Sequence, residues 1–196
     1  SKVQAALLEA MQEKQITLGE TTYSLDKPFL VLATQNPLEQ DGTYPLPEAQ
    51  VDRFMLKVLL DYPTLEEEKS ILRAVSGLGF EKVLSVSSGE EILTAREEVK
   101  AVFMDEKIED YIVRLVHSTR YPDKYEMPTM RALIDVGASP RASIDLAKAA
   151  KAHAFLETRD FVTPEDVQAV ALPVLRHRIQ LSYEAEAESL NADQVI

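Results

Sequence analysis

Cysteine and tryptophan are both absent from the 196 residues, and only 7% of the residues are aromatic. The lack of cysteine excludes a disulfide scaffold and thiolate chemistry, and it is typical of a protein in a reducing compartment. No stretch approaches the roughly 18 consecutive apolar residues that a membrane span requires. No basic segment followed by a short apolar core marks a secretion signal. We therefore expect a cytoplasmic protein without a membrane span.

Basic residues are also scarce relative to acidic ones. The chain has 21 Lys and Arg against 33 Asp and Glu, which is a formal net charge of −12. Nucleic-acid binding needs a basic face that neutralises phosphates, so this balance argues against a general nucleic-acid binder. The histidines, His117, His153 and His177, are scattered, and no Cys/His/Asp spacing matches a metal site. We expect basic or neutral partners and no structural metal.

The first third of the sequence alternates between helix and strand signals. Apolar residues spaced by four predict a helix over residues 3–14. Two β-prone runs on either side of a glycine-containing turn predict a β-hairpin over residues 15–25. The unbroken apolar run at residues 29–33 is typical of a strand buried on both faces, as in a parallel sheet covered by helices. A short helix at residues 48–54 and a further strand at residues 55–60 follow.

From residue 61 onward the signals are almost entirely helical. An apolar stripe predicts a helix between Asp105 and Arg120, and Ser139-Pro140 opens a helix that runs to about Leu156. Three helix starts carry a threonine followed three positions later by an acidic residue, which is the signature of a capping box or a variant of it. These threonines are Thr64, Thr94 and Thr163.

Two polar residues lie at the ends of elements in the predicted α/β part, and Asn36 lies beyond the carboxyl end of a strand, where ligands of open α/β sheets bind. Asn36 directly follows the apolar run, so its amide could orient a water molecule or contact a phosphate; alternatively, Asn36-Pro37 begins a turn. Arg53 ends the short helix. Its guanidinium could reach a negative charge on a neighbouring subunit; alternatively, it is a surface arginine that the helix dipole favours.

Arg141 lies in the first turn of the helix that Ser139-Pro140 opens. The positive end of the helix dipole disfavours an exposed cation there by about 0.3–1 kcal/mol. Amide protons without partners, together with an arginine, make this helix end a good anion site. A nearby carboxylate could compensate the arginine equally well, so the sequence alone leaves both alternatives open.

Several stretches of the sequence closely resemble the MoxR group of AAA+ ATPases. The most specific of them is G-T-Y-P-L-P-E-A-Q-V-D-R-F at residues 42–54. The resemblance runs in the family's order over most of the chain and is weak only across residues 77–107 and in the acidic tail. The other stretches are residues 3–11, 33–37, 137–142, 159–167 and 173–178.

The resemblance implies a fold and a role for each polar residue. Residues 1–62 would be the C-terminal part of a P-loop AAA+ core, an α/β remnant with a helix, a β-hairpin and parallel strands; residues 63–196 would be a linker and an all-α lid domain. Asn36 would be sensor 1, which positions the attacking water and the γ-phosphate. Arg53 would be the arginine finger that reaches into the next subunit's site. Arg141 would be sensor 2 on the lid, acting in its own subunit or across the interface.

The resemblance also implies ligands and partners. The full-length protein would use ATP and Mg²⁺ and form a homo-oligomeric, hexameric ring. It would act as a chaperone-like remodeller of protein clients, including proteins with von Willebrand A domains. An arginine finger supplied by a neighbour can raise the rate of phosphoryl transfer about a thousandfold or more, so hydrolysis would depend on assembly.

Two parts of the family's nucleotide site are missing from the sequence. No glycine is followed by Lys, so the phosphate loop G-x-x-x-x-G-K-[ST], the Walker A motif, is absent. The Walker B strand end, which holds Mg²⁺, would lie just upstream of residue 1. We therefore expect this chain alone to be inactive and to hold no cofactor. In the alternative interpretation, the chain is a non-enzymatic helical interaction module, and Asn36, Arg53 and Arg141 are structural.

Overall fold

The structure is a computed structural model that describes residues 7, 9–11, 13–35, 46–79 and 82–196. Strands β1 (Gln15–Leu18) and β2 (Thr21–Ser24) form the predicted antiparallel hairpin. Gly19 supplies the positive φ of 65° that its two-residue turn requires. Of the helix predicted over residues 3–14, the described residues 7, 9–11 and 13 are helical, whereas Lys14 is a bend with a positive φ of 53°.

The two further strands predicted for the α/β part do not form. Within the described chain, neither residues 29–33 nor residues 55–60 pair with another strand, and Leu32 and Leu60 are 86% and 91% exposed. An apolar run becomes part of a parallel sheet only where neighbouring strands supply hydrogen bonds and helices cover both faces. The described residues supply neither. Between the two runs lies α1 (Glu48–Val51), which is shorter than predicted.

Helices dominate from residue 64 onward. The order of elements is α2 (Leu65–Arg73), which continues into a π-helical turn (Ala74–Leu78), α3 (Gly89–Ala101), α4 (Glu106–Arg120), a 3₁₀ turn (Pro122–Tyr125), α5 (Pro128–Leu133), β3 (Ile134–Val136), α6 (Pro140–Leu156), α7 (Pro164–Leu175), β4 (Gln180–Leu181), α8 (Tyr183–Ala187) and α9 (Ala192–Val195). Strands β3 and β4 pair antiparallel. None of the described helices combines the length and the apolar character needed to cross a membrane.

Most of the predicted helix starts are confirmed. Thr64 caps α2 in a capping box, and Ser139 caps α6 with Pro140 in the first turn. The capping box predicted at Thr94 is wrong, because α3 already begins behind Ser88, which forms the box with Glu91. Thr94 lies inside α3 and donates its hydroxyl to the carbonyl of the preceding turn, as threonines inside helices commonly do.

The hydrophobic core lies in the helical part of the chain. Its buried members all fall between Val102 and Val195, and the packing of α6 against α7 forms its centre. Helix α4 packs on both of these helices, and α3 packs on α6. The buried face of α6 is rich in alanine, which lets neighbouring backbones approach closely. By contrast, no residue of α2 is buried.

Asp166, near the start of α7, is a fully buried carboxylate within this core. Arg159 Nη1 donates to its Oδ2 at 2.7 Å, the amide of Thr163 donates to the same oxygen at 2.7 Å, and His153 Nδ1 lies 2.7 Å from Oδ1. These contacts, that of Arg159 above all, hold the pKa of Asp166 well below its usual range, because each favours the charged form. The network ties the end of α6 to the start of α7.

Gly137 allows the loop before α6 to approach α4. A Cβ at this position would lie 2.5 Å from the carbonyl oxygen of Thr119, and the next amide, of Ala138, donates to Thr119 Oγ1 at 3.0 Å. This approach determines where α6 begins, and therefore where Ser139 and Arg141 lie.

Gly137→Ala should lower the free energy of unfolding by about 1–3 kcal/mol, because the added methyl group must displace backbone atoms. Urea or thermal unfolding of the chain measures this. Gly77→Ala is the matched control, since nothing lies within 4 Å of the Cβ that it adds, and we expect it to cause no loss. Equal stability of the two variants would contradict the close approach at Gly137.

Candidate functional site

Charged side chains meet where Asp52, the residue directly after α1, contacts the start of α6. The carboxylate of Asp52 accepts a hydrogen bond from Ser139 Oγ, which lies 3.0 and 2.9 Å from its two oxygens. Arg141 Nη1 donates to Asp52 Oδ2 at 2.9 Å. The side chain of Asp52 is only 15% exposed, so these contacts are largely shielded from water. We call Asp52, Ser139, Arg141, Asp145 and Arg178 the seam cluster.

The seam cluster explains how an arginine is accommodated in the first turn of α6. The anion at this helix end is the carboxylate of Asp52, which the helix dipole and the guanidinium of Arg141 both favour. The compensating carboxylate that the sequence left open is therefore present. The side chain of Arg141 remains 47% exposed, so part of its guanidinium still faces solvent.

Arg178 lies at the buried side of the cluster, with a fully buried side chain. Its Nη2 donates to Asp145 Oδ2 at 2.6 Å and to the carbonyls of Asp52 and Phe54 at 3.2 and 2.8 Å. Its Nε lies 3.3 Å from Asp52 Oδ1, close enough for an ion pair but without the geometry of a hydrogen bond. Two carboxylates thus compensate the buried charge, which would otherwise be costly. We call residues 52–57, which contact residues 173–178 of the lid, the docked segment.

The residues just before Arg178 also hold the docked segment. His177 Nε2 lies 2.9 Å from the carbonyl oxygen of Phe54, which it can meet only as a donor. Arg176 Nη1 donates to the carbonyl of Lys57 at 3.2 Å. The amide of Lys57 donates to the carbonyl of Pro173 at 2.8 Å. Pro173 lies in the last turn of α7, where carbonyls have no partner within the helix, so this helix end is suited to accept a passing chain.

The structure brings two of the three predicted site residues to this place, while Asn36 lies outside the described residues. Arg53 belongs to the docked segment and is partly buried. Its Nε and Nη1 are buried and have no hydrogen-bond partner in the described part of the chain. A buried guanidinium without an acceptor is costly, so these nitrogens call for an acceptor from outside the described residues.

Sequence reasoning missed Asp52, Asp145 and Arg178 as members of the site. A signal existed for Arg178, since it ends the basic run Arg176-His177-Arg178 directly after a helix and within a family-like stretch. No local signal pointed to Asp145. Among the described His, Asp and Glu side chains, no group of three or more is placed to hold a metal ion.

Comparisons with known proteins place the chain in a family. A family model described as "ATPase family associated with various cellular activities (AAA)" matches residues 1–56, and one for the AAA lid domain matches residues 130–196. Chaperone MoxR1 of Mycobacterium tuberculosis is 42% identical over 196 residues, which are 100% of this chain and 52% of that protein. Uncharacterized protein YeaC of Bacillus subtilis is also 42% identical over 196 residues, and the chain covers 58% of it. The chain belongs to the MoxR-type AAA+ ATPases.

The match extends to three-dimensional structure. The crystal structure of a candidate ATPase from Cytophaga hutchinsonii is 52% identical and superimposes with a TM-score of 0.93 over 100% of this chain. This confirms the predicted fold class, in which part of an AAA+ core precedes a helical lid. The MoxR-type chain spans between 52% and 59% of the length of these three relatives.

We expect the docking of this MoxR-type chain to depend on pH through His177. Burial is the main cause that lowers the pKa of His177 below its usual value of about 6.5, although the carbonyl of Phe54 opposes the shift. The Nδ1 atom is buried and has no hydrogen-bond partner among the described residues, so a proton added there would meet no acceptor.

Acidification should therefore loosen the docked segment. Below about pH 6.5 the unfolded or undocked chain binds a proton at His177 more readily than the docked one, so stability present at higher pH is lost as the pH falls. We expect the protection factor of the Lys57 amide in hydrogen exchange to fall from about pH 7.5 to about pH 5.5. His177→Gln keeps a donor for Phe54 and should flatten this dependence. The same pH dependence in both proteins would exclude His177 as its cause.

Proposed function

We propose that the full-length protein is a ring-forming ATPase that remodels client proteins, and that this chain supplies residues which complete the active site of a neighbouring subunit. One observation carries the proposal. Arg141 forms an ion pair with Asp52, the residue directly before Arg53, so the lid binds the chain directly beside Arg53. Two arginines beside Asp52, one of them with buried nitrogens that lack an acceptor among the described residues, support a site for a polyanion such as ATP.

Phosphoryl transfer depends mainly on positioning and on the stabilisation of developing charge. Arg53 places its guanidinium against the γ-phosphate of ATP bound to the next subunit. Arg141 contacts that same nucleotide: when ATP is bound, its guanidinium leaves the carboxylate of Asp52 and binds phosphate oxygens. Asn36 acts as sensor 1 in its own subunit, as the family pattern implies. In the full-length protein, a phosphate loop and an acidic strand end would bind ATP and Mg²⁺, and the metal would supply neutralisation of phosphate charge.

The proposed work of the ring is chaperone-like. MoxR1 is named a chaperone, and this supports protein clients for the present chain. We propose that clients with von Willebrand A domains are among them and that the ring is a homo-hexamer. The net charge of −12 favours basic or neutral client surfaces. The fold itself does not determine the client.

The 196-residue chain alone should neither hydrolyse ATP nor bind it tightly, because its sequence contains no phosphate loop. Phosphate release and equilibrium dialysis with ATP test this. Turnover by the pure chain that Arg53→Ala abolishes would contradict the expectation.

In the full-length protein, Arg53→Ala should lower kcat about 1,000-fold or more while ATP binding is retained. Wild-type activity per subunit should rise with protein concentration, since the finger acts between subunits. Phosphate release over a concentration series, with nucleotide binding measured in parallel, checks both points. Arg114→Ala removes an exposed arginine of α4 and should leave turnover unchanged. If Arg53→Ala hydrolyses ATP as fast as the wild type, Arg53 is structural and the proposed function fails.

A further inference from the structure

The helical lid bonds the carbonyls on either side of Arg53, whereas the amides of Arg53 and Phe54 bond the carbonyls of Gln50 and Val51 in α1. We propose that Arg178 is the positioning residue of Arg53, and that Asp52 and Asp145 hold Arg178 in place as its counter-ions. The inference rests on the proposed function of Arg53 as a finger, and it adds the group that determines where this finger points.

The first argument is geometric. One nitrogen of Arg178, Nη2, donates to the carbonyl of Asp52 at 3.2 Å and to the carbonyl of Phe54 at 2.8 Å. These are the carbonyls of the residues directly before and after Arg53. When both are held by one rigid group, the backbone between them has little freedom, and the direction in which the Arg53 side chain leaves it is restricted.

The second argument concerns burial and charge. The side chain of Arg178 is fully buried, so its position is determined by its neighbours and not by solvent. Asp145 Oδ2 lies 2.6 Å from Nη2, and Asp52 Oδ1 lies 3.3 Å from Nε. The planar guanidinium can face two carboxylates and two carbonyls at once. A lysine keeps the charge, but its ammonium group cannot reproduce this planar arrangement of donors.

The third argument concerns where the groups originate. Asp145 lies on α6 and Arg178 follows α7, so both counter-ion and donor belong to the lid. Arg141, also on α6, contacts Asp52 from the other side. A displacement of the lid is therefore transmitted to the docked segment, and the position of the lid decides whether Arg53 can reach a neighbouring nucleotide.

The test uses Arg178→Lys in the full-length protein. We expect kcat to fall about 100-fold, as for a catalytic group misplaced by about 1 Å, while KM for ATP stays close to the wild-type value. The defect should lie on the side that donates the finger. Mixing Arg178→Lys subunits with subunits whose phosphate-loop lysine is substituted should restore turnover. In such a mixed ring, the phosphate-loop variant supplies a correctly placed Arg53, and the Arg178→Lys subunit supplies an intact nucleotide site.

Arg53→Ala mixed with the same phosphate-loop variant is the reference. If that mixture regains activity and the Arg178→Lys mixture does not, Arg178 has another role and the inference is overturned, although the proposed function stands. If Arg53→Ala alone keeps full turnover, the proposed function fails and the inference fails with it.

Arg159→Lys is the matched control for a loosened lid. Arg159 pairs with Asp166 at the opposite end of α7, about 18 Å away along a helix of 12 residues. We expect this variant to melt at a lower temperature with nearly unchanged kcat. A loss of kcat equal to that of Arg178→Lys would overturn the inference. If Arg178→Lys does not fold, Asp145→Asn is the second variant, because it removes one counter-ion of Arg178 without changing the shape of the side chain. We expect a smaller loss of kcat than for Arg178→Lys, with the same recovery of turnover in mixtures. An unchanged kcat in Asp145→Asn would then overturn the inference.

Discussion

The buried guanidinium of Arg178 is the interaction on which the arrangement of the described chain depends. It joins the end of α7, the middle of α6 and the docked segment through one side chain. Burying such a charge costs several kcal/mol unless carboxylates and hydrogen bonds compensate it, and here Asp52 and Asp145 do so. We interpret this arrangement as one that defines orientation between two parts of the chain, because apolar packing of the same volume would stabilise them without setting their direction.

Two buried charge networks among the described residues differ in how completely they are satisfied. Around Asp166, both carboxylate oxygens are bonded, and the network lies within the hydrophobic core. Around the seam cluster and the docked segment, several buried polar atoms lack a partner among the described residues: Gln50 Oε1, Arg53 Nε and Nη1, His177 Nδ1, and Arg178 Nε and Nη1. Folded proteins rarely leave such atoms unbonded, and exceptions are expected where a site must bind something else. The first network stabilises the lid, whereas the second leaves polar atoms without partners among the described residues.

Apolar side chains before residue 90 also lack the cover that they need. Leu32, Leu60 and Val86 are almost fully exposed, although their types are those of a protein interior. The relatives are longer than this chain, and the missing strand neighbours of residues 29–33 and 55–60 are consistent with cover from the remainder of such a protein. The lid does not share this dependence, since its core is built from residues 102–195 alone.

Local sequence was sufficient for the hairpin, for the helix that Ser139-Pro140 opens and for the capping box at Thr64, because each depends on bonds between residues only a few positions apart. It also contained the family pattern, and with it Arg53 and Arg141. It misplaced the start of α3, since two capping signals, at Ser88 and Thr94, compete and only the earlier one lies at the first turn. The predicted strands required partners that the described residues do not contain.

Tertiary structure alone decided what surrounds the two arginines. Whether Arg141 meets a carboxylate depends on Asp52, which lies 89 positions away, and the carbonyl of Asp52 meets Arg178 across 126 positions. No local pattern encodes such contacts, because they exist only after α6 and α7 have packed and the docked segment has joined them. The residue types that handle negative charge could thus be read from the sequence, whereas their common location, and the buried arginine that holds one of them, emerged only from the fold.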